Sequence, residues 1–206
     1  MTWPVAGSRV PIAPPAKSPN QTCPLGVTVR LIVTAGRLWD QGKNAGLLLA
    51  AEMPGQIQIV GARQHPGAAG NEPLTGEAAT NVHLLPQQDE QQMARILGRA
   101  AIYAAPSRYE PFGLAPLEAA LSGCALVVSD IPSLHELWEG AAIFFRSNDA
   151  GELRQALELL LRDSSLRRRY ANLAYDHAVR KFNAACMTDY YMKLYRALAP
   201  AAVAAA

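Results

Sequence analysis

The sequence has few cysteines, little net charge and no long apolar run, and each of these features argues against a class of protein. Its 206 residues include three cysteines, Cys23, Cys124 and Cys186, too sparse and too widely separated for a disulfide framework or a metal site. Such a count suits reduced thiols, and hence a cytoplasmic location. The formal net charge is only +2, which gives no argument for nucleic acid as a partner. No apolar run approaches the roughly 20 residues of a membrane-spanning helix, so membrane contact is expected to be peripheral at most.

Metal-binding patterns are also lacking, and we expect no cofactor. His65, His83 and His135 show no spacing that would suit a metal ion. His177 falls on an apolar helical stripe and is interpreted as a packed core or boundary residue. Cys124 begins a predicted buried strand, where we expect it to pack rather than to react.

The two ends of the chain differ in composition from the rest. Residues 1–25 are rich in proline, serine and small residues, without the basic segment and apolar core of a signal peptide. We interpret them as an extended or disordered leader, and the alanine-rich residues 199–206 as a disordered tail. Residues 26–198 are therefore predicted to form one folded domain.

Short apolar runs alternate with helical patterns through that domain. The predicted strands are VRLIVTAG, IQIVGA, NVHLL, AAIYAAPS, CALVVSD and AAIFF, each an apolar run bounded by loop residues. The predicted helices are NAGLLLAAEM, the residues after Asp89, a short segment near Ser133 to Trp138, and three more that end the domain. This alternation predicts an α/β fold: a single doubly wound, Rossmann-like parallel sheet with helices on both faces and a helical C-terminal section.

The first strand-to-helix loop, TAGRLWDQGKNAG, carries two basic residues. Ligands of such sheets bind at the carboxyl ends of the strands, where this loop lies. It is not a P-loop, because five residues separate Gly36 from Gly42 and Asn44 replaces the required serine or threonine. Arg37 and Lys43, together with unpaired N–H groups at a helix start, instead predict an anion site. Two solvated basic residues are the alternative interpretation.

A second loop, SRYEPFGLAPLEAAL, carries two acidic residues. Pro111 disfavours a helical conformation for Glu110, whereas Pro116 suits the first turn of a helix. The pattern therefore predicts Glu110 on a loop and Glu118 one turn inside the following helix, with both acids directed to one place. Carboxylates accept hydrogen bonds from sugar hydroxyls. A diphosphate flanked by two sugars, which is a nucleotide sugar, would satisfy both loops; solvated surface acids are the alternative.

Three segments resemble a known family of enzymes. GRLWDQGKNAGLLLAA, EPFGLAPLEAALSGCALVVSD and HELWEGAAIFF are similar to the donor-binding, C-terminal half of retaining GT-B glycosyltransferases of the family-four type. The resemblance extends from about Val29 to Leu198. It implies that residues 26–198 are a nucleotide-sugar-binding half domain, which serves transfer of a hexosyl group to an acceptor with retention.

The resemblance also implies a role for each matching residue. Arg37 and Lys43 would hold the donor diphosphate. Glu110 would contact the transferred sugar and stabilise the charge that develops on it, and Glu118 would bind the ribose. Backbone groups would make the other contacts: those of Phe112, Gly113 and Leu114 with the distal phosphate, and those of Pro86 and Gln87 with the base. Ser129, Asp130 and Glu136 match the family as architecture around the site.

The sequence departs from this family in two respects. Asn44 stands where the family usually has glycine, and the acceptor-binding half is not in this chain. We expect that half to come from a partner chain, or the last helix to self-associate; a catalytically incomplete binding module is the alternative function.

No Asp-x-Asp motif occurs, which implies a metal-independent enzyme. The arginines at 162 and 167–169 are interpreted as a solvated helix face, with anionic lipid as the alternative contact.

Overall fold

A computed structural model describes residues 31–49, 53–65 and 79–198. Six parallel strands form the central sheet of this described part. The strands are β1 (Leu31–Ala35), β2 (Gln56–Val60), β3 (Val82–Leu85), β4 (Ile102–Ala105), β5 (Ala125–Asp130) and β6 (Ile143–Arg146). Their order in the sheet is β3-β2-β1-β4-β5-β6, with every pair parallel. The predicted doubly wound sheet is therefore confirmed, whereas the predicted leader and tail lie outside the described residues.

Among the described residues, six α-helices connect and follow the strands. They are α1 (Glu90–Arg99), α2 (Leu114–Leu121), α3 (Pro132–Trp138), α4 (Ala150–Arg162), α5 (Ser164–Lys181) and α6 (Ala184–Leu198). Aspartates fix three of the helix starts by accepting hydrogen bonds from first-turn N–H groups. Asp89 and Gln92 form a reciprocal capping box on α1, and Asp149 and Asp163 cap α4 and α5.

The helix predicted for NAGLLLAAEM is shorter than expected. Within the described part of this segment, Ala45–Leu48 form a single 3₁₀ turn. Asn44, the residue before that turn, adopts the left-handed conformation with φ 50°. Since a left-handed residue cannot continue an α-helix, the turn starts only after Asn44.

Both faces of the sheet are buried, which explains the continuous apolar runs of the strands. Ile32, Ile57 and Ile102 pack with α4 on one face. Val33, Tyr103 and Leu126 pack with α3 and α5 on the other face.

The structure shows where three residues with predicted environments lie: Cys124, His177 and Arg167. Cys124 is fully buried, as its predicted packing role requires. His177 Nε2 contacts the Leu137 carbonyl at 2.7 Å, so this histidine occupies the core boundary. Arg167, in contrast, does not belong to the predicted solvated face. It is buried, and its Nη1 donates to the Leu160 carbonyl at 2.7 Å, one of the carbonyls that the end of α4 leaves without a helical partner.

The last helix differs from all the others. No residue of α6 is buried, although the helix carries many large apolar side chains. Those that are well exposed are Met187, Tyr190, Tyr191, Met192, Leu194, Tyr195 and Leu198. The helix for which self-association was expected as an alternative therefore leaves a large apolar surface exposed.

Candidate functional site

Two loops that carry candidate residues lie side by side at the carboxyl end of the sheet. The first loop follows β1 and the second follows β4, and these strands are neighbours. The backbone N–H groups of Arg108 and Tyr109 both donate to the Gly42 carbonyl, at 2.8 and 3.2 Å. The predicted basic and acidic loops are therefore joined directly by their backbones.

An ion pair between Lys43 and Glu110 lies at the centre of the site. Lys43 Nζ donates to a carboxylate oxygen of Glu110, with the two side chains 21% and 9% exposed. Ser133, in α3, fixes the acidic loop from the other side, because its hydroxyl donates to the Glu110 carbonyl at 2.6 Å. Gly36 leaves room for the lysine, since a Cβ there would lie 3.3 Å from Lys43 Cδ. The structure thus brings together the two charges that the sequence assigned to different parts of a ligand.

Tyr103 forms the floor below this ion pair. Both residues of the pair line a narrow pocket with Tyr103, Thr34 and Ser107. The Tyr103 hydroxyl accepts a hydrogen bond from Ala35 N at 3.2 Å and donates one to Ala35 O at 3.1 Å. Burial raises the pKa of Tyr103 well above its usual range, and the charges of Glu110 and Glu118 raise it further. The phenol therefore stays neutral and supports the end of β1.

Arg37 lies on the rim of the site rather than inside it. Its guanidinium pairs with Asp40 at 2.7 Å, and its side chain is 62% exposed. It also lies over the Trp39 ring, 5.3 Å from the centroid. Asp40 in turn accepts a hydrogen bond from Gly42 N at 2.8 Å, which helps to shape the loop. Arg37 is not among the residues that line the pocket with Lys43.

Glu118 lies one turn inside α2, as predicted. Partial burial raises the pKa of its carboxyl, and the negative charge of Glu90 raises it further. Glu90 begins α1, directly after the loop that holds Pro86 and Gln87. Glu118 is therefore close enough to interact with the charge of Glu90, which follows the loop predicted to meet a base. In that loop, the Pro86 carbonyl accepts a hydrogen bond from Gln88 Nε2 at 2.9 Å.

Gly113 allows the acidic loop to turn tightly into α2. Its φ is 80°, in the left-handed region, and a Cβ there would lie 3.3 Å from Glu110 Cγ. The N–H groups of Gly113 and Leu114 stand at the start of α2, where helix geometry provides no backbone acceptor. Phe112 packs edge-on against Phe182, with ring centroids 5.6 Å apart. The helix start is thus available to an anion beside Lys43.

Three residues predicted to support the site make hydrogen bonds around this end of the sheet. Ser129 Oγ donates to the Ala105 carbonyl at 3.3 Å, which ties β5 to β4. Asp130 contacts His135 Nδ1 at 3.0 Å, and the Glu136 carbonyl accepts from Lys181 Nζ at 2.9 Å. Within residues 31–49, 53–65 and 79–198, no group of three or more histidines, cysteines or acids could hold a metal ion.

Sequence reasoning did not identify three residues of this region: Tyr103, Ser133 and Asn148. Tyr103 could have been found, because it places a polar group inside the apolar strand IYAA that leads to the acidic loop. Ser133 and Asn148 follow no recognisable pattern, since only the folded chain brings them to Glu110 and to the two loops.

Comparisons with known proteins show which sequences this chain resembles. The sequence model of one family, glycosyl transferases group 1, matches residues 57–177. An alpha-maltose-1-phosphate synthase of Mycolicibacterium smegmatis is 24% identical, over 89% of this chain and 52% of that protein. An N,N'-diacetylbacillosaminyl-diphospho-undecaprenol alpha-1,3-N-acetylgalactosaminyltransferase of Campylobacter jejuni is 28% identical, over 80% and 44% of the two chains. The chain thus spans about half the length of these relatives.

Solved structures share the fold. Sucrose-phosphate synthase from Thermosynechococcus elongatus superposes with a TM-score of 0.66 at 23% identity, over 84% of this chain and 46% of that one. Anabaena HepE, solved in complex with UDP-glucose, gives a TM-score of 0.66 at 18% identity, over 82% and 49%. In the part of the chain that the structure covers, no helix is long and apolar enough to cross a membrane.

Proposed function

Because the chain belongs to the glycosyl transferases group 1 family, we propose that it binds a nucleotide-diphosphate sugar and forms the donor side of a glycosyltransferase. The enzyme would transfer a hexosyl group to an acceptor with retention. The observation that carries this proposal is the Lys43–Glu110 ion pair, held where two joined loops meet the start of α2. The UDP-glucose bound to HepE, a protein of the same fold, supports this class of donor.

The donor would lie across the carboxyl end of the sheet. Lys43 and the N–H groups of Gly113 and Leu114 would bind the diphosphate, with Phe112 beside them and Arg37 reaching in from the rim. At one end Glu110 would meet the transferred sugar. At the other end Glu118 would meet the ribose, and the backbone of Pro86 and Gln87 would meet the base.

Donor binding would exchange the partners of Lys43. In the structure Lys43 pairs with Glu110, so a diphosphate must take the place of the carboxylate. Glu110 is then a poorly solvated acid without its cation, which is an unfavourable state. Hydroxyl groups of the transferred sugar can restore hydrogen bonds to this carboxylate. The exchange therefore couples recognition of the phosphates to recognition of the sugar.

The same exchange places charge where transfer needs it. Positive charge develops on the sugar as its bond to the phosphate breaks, and the released Glu110 carboxylate would stabilise that charge. Lys43 and the start of α2 would stabilise the negative charge left on the diphosphate. We therefore propose a metal-independent reaction. Its proposed location is the cytoplasm, where sparse cysteines such as those of this chain stay reduced.

An acceptor-binding domain is the proposed partner of α6. This helix exposes seven large apolar side chains, more than an isolated surface helix requires. The chain spans about half the length of the two relatives described above. Light scattering of the 206-residue chain tests this assignment. A monomer that keeps α6 exposed supports it, and a stable dimer closed through α6 would contradict it.

Nucleotide binding tests the proposed function directly. Calorimetry with UDP, GDP and ADP should detect binding of at least one of them without added metal. Lys43→Ala should weaken that binding about tenfold to a hundredfold, because a charge-assisted hydrogen bond contributes roughly 1.5–3 kcal/mol. Lys193→Ala, on exposed α6, is the matched control and should bind as the wild type does. Absence of binding to all three nucleotides would reject the proposal.

A further inference from the structure

Asn148 connects the two loops of the site from a third loop. It lies between β6 and α4, in a segment that no part of the proposed function uses. Its Oδ1 accepts a hydrogen bond from Arg108 Nε at 2.5 Å and another from Asn44 Nδ2 at 3.2 Å. One oxygen atom therefore holds a residue of the acidic loop and a residue of the basic loop.

The backbone at both asparagines is of a kind that usually selects glycine. Asn148 has φ 68° and Asn44 has φ 50°, and they are the two residues other than glycine with positive φ in the described ranges. Asparagine tolerates this conformation better than most residues, but glycine adopts it without steric cost. At both positions the chain therefore carries a side-chain amide in a backbone conformation that glycine would adopt more easily. Those two amides form the hydrogen bond between Asn44 and Asn148.

The contact lies close to the charged pair in sequence and in space. Asn44 directly follows Lys43, and Arg108 precedes Glu110 by two residues. The bonds from Arg108 N and Tyr109 N to the Gly42 carbonyl hold the same two loops together independently of Asn148. Loss of the Asn148 side chain would thus loosen the spacing of the loops without separating them.

We propose that Asn148 is a positioning residue for donor binding. By holding Asn44 and Arg108 on one oxygen atom, it sets the distance between Lys43 and Glu110 and so the affinity of the site for a diphosphate. It acts through these two residues and does not itself touch the donor. The inference rests on the proposed function, because it takes the Lys43 region as the diphosphate site.

Substitution by glycine tests this role with little disturbance of the backbone. Asn148→Gly suits the left-handed conformation and removes the side-chain amide with its accepting oxygen, so UDP affinity measured by calorimetry should fall about threefold to tenfold. Asn44→Gly loses one of the two bonds and should cause a smaller loss. Asn148→Asp keeps an acceptor oxygen and should recover most of the affinity that Asn148→Gly loses, measured at high salt, where repulsion between its added charge and the diphosphate is screened.

Asn81→Ala is the matched control for a merely structural asparagine. The Asn81 amide also bridges two segments, donating to Met53 O at 2.8 Å and Gly55 O at 2.7 Å, but it does so beside the first residues of β2 and β3. Its loss should lower the melting temperature and leave UDP affinity unchanged.

Three results would decide against the positioning role. It is wrong if Asn148→Gly binds UDP like the wild type, or if Asn148→Asp binds as weakly as Asn148→Gly. It is also wrong if Asn81→Ala weakens UDP binding to the same extent. If the wild type itself does not bind UDP, GDP or ADP, the proposed function fails instead, so the two failures are distinguishable.

Discussion

Neutralising Glu110 should strengthen the binding of a bare nucleoside diphosphate. In Glu110→Gln, Lys43 loses its charged partner and becomes available to the phosphates. The Lys43–Glu110 bond is a charge-assisted one, for which roughly 1.5–3 kcal/mol is typical. About a fifth of the Lys43 side chain is exposed and hydrated, which favours the lower end of that range. A gain of about 1.5 kcal/mol corresponds to a roughly tenfold lower dissociation constant for UDP.

The same substitution should weaken the binding of the sugar part of the donor. Glutamine is a weaker acceptor for hydroxyl groups than a carboxylate, so the extra affinity of UDP-glucose over UDP should fall. Calorimetry with both ligands on the 206-residue chain measures the two effects in parallel. The direction of change therefore separates the ion-pair exchange from simple damage to the site, which would weaken both ligands.

Two control variants make the measurement specific. Glu139→Gln removes a negative charge from an exposed position and should leave UDP affinity unchanged, which corrects for the change in net charge. Lys43→Met combined with Glu110→Gln should abolish the gain, because the cation that produces it is absent. If Glu110→Gln binds UDP no more tightly than the wild type, the ion-pair exchange is refuted.

Three further predictions follow from other parts of the site. Arg37→Ala should weaken UDP binding in calorimetry, but less than Lys43→Ala does, because Arg37 is exposed and paired with Asp40; an equal loss would contradict its position on the rim. Glu118→Gln should weaken UDP binding yet raise the melting temperature at pH 7. The pKa of the Glu118 carboxyl is raised, which means that its ionised form destabilises the fold. The gain in melting temperature should therefore vanish as the pH falls below the pKa of an ordinary carboxyl. A gain in melting temperature that persists in acid would refute the assignment. Finally, the chain alone should bind donor without multiple-turnover transfer to sugar or lipid acceptors, since positioning of an acceptor accounts for about 7–11 kcal/mol of such barriers; sustained transfer by a monomer would overturn this expectation.

The sheet was predictable from sequence because its strands are buried on both faces. Runs such as ALVV, at the start of β5, are continuously apolar for that reason, and their alternation with helices leaves few other folds. The 3₁₀ turn was not predictable from the apolar letters that follow Asn44. The left-handed backbone of that asparagine, after which the turn begins, is not encoded by composition or periodicity either.

The site residues were predictable individually, but their contacts were not. The sequence assigned Lys43 and Glu110 to a diphosphate and to a sugar, and these roles stay predictions. Their ion pair joins residues 67 positions apart, and it depends on the adjacency of β1 and β4 in the sheet. Arg167 illustrates the converse error. Its basic neighbours indicated solvent, whereas the end of α4 supplies a carbonyl that draws the guanidinium inward.

The Lys43–Glu110 pair also has a consequence for how a turnover would end. Under the proposed function, departure of the sugar would remove the hydroxyl groups that had replaced the cation of Glu110, while Lys43 would still hold the diphosphate product. The carboxylate would then compete for Lys43 from inside the protein, because both groups are held on joined loops. Re-formation of the pair would therefore speed product release, the step that limits many enzymes. Glu110, which would bind the sugar of the incoming donor, would thus also displace the nucleoside diphosphate product when it pairs with Lys43 again.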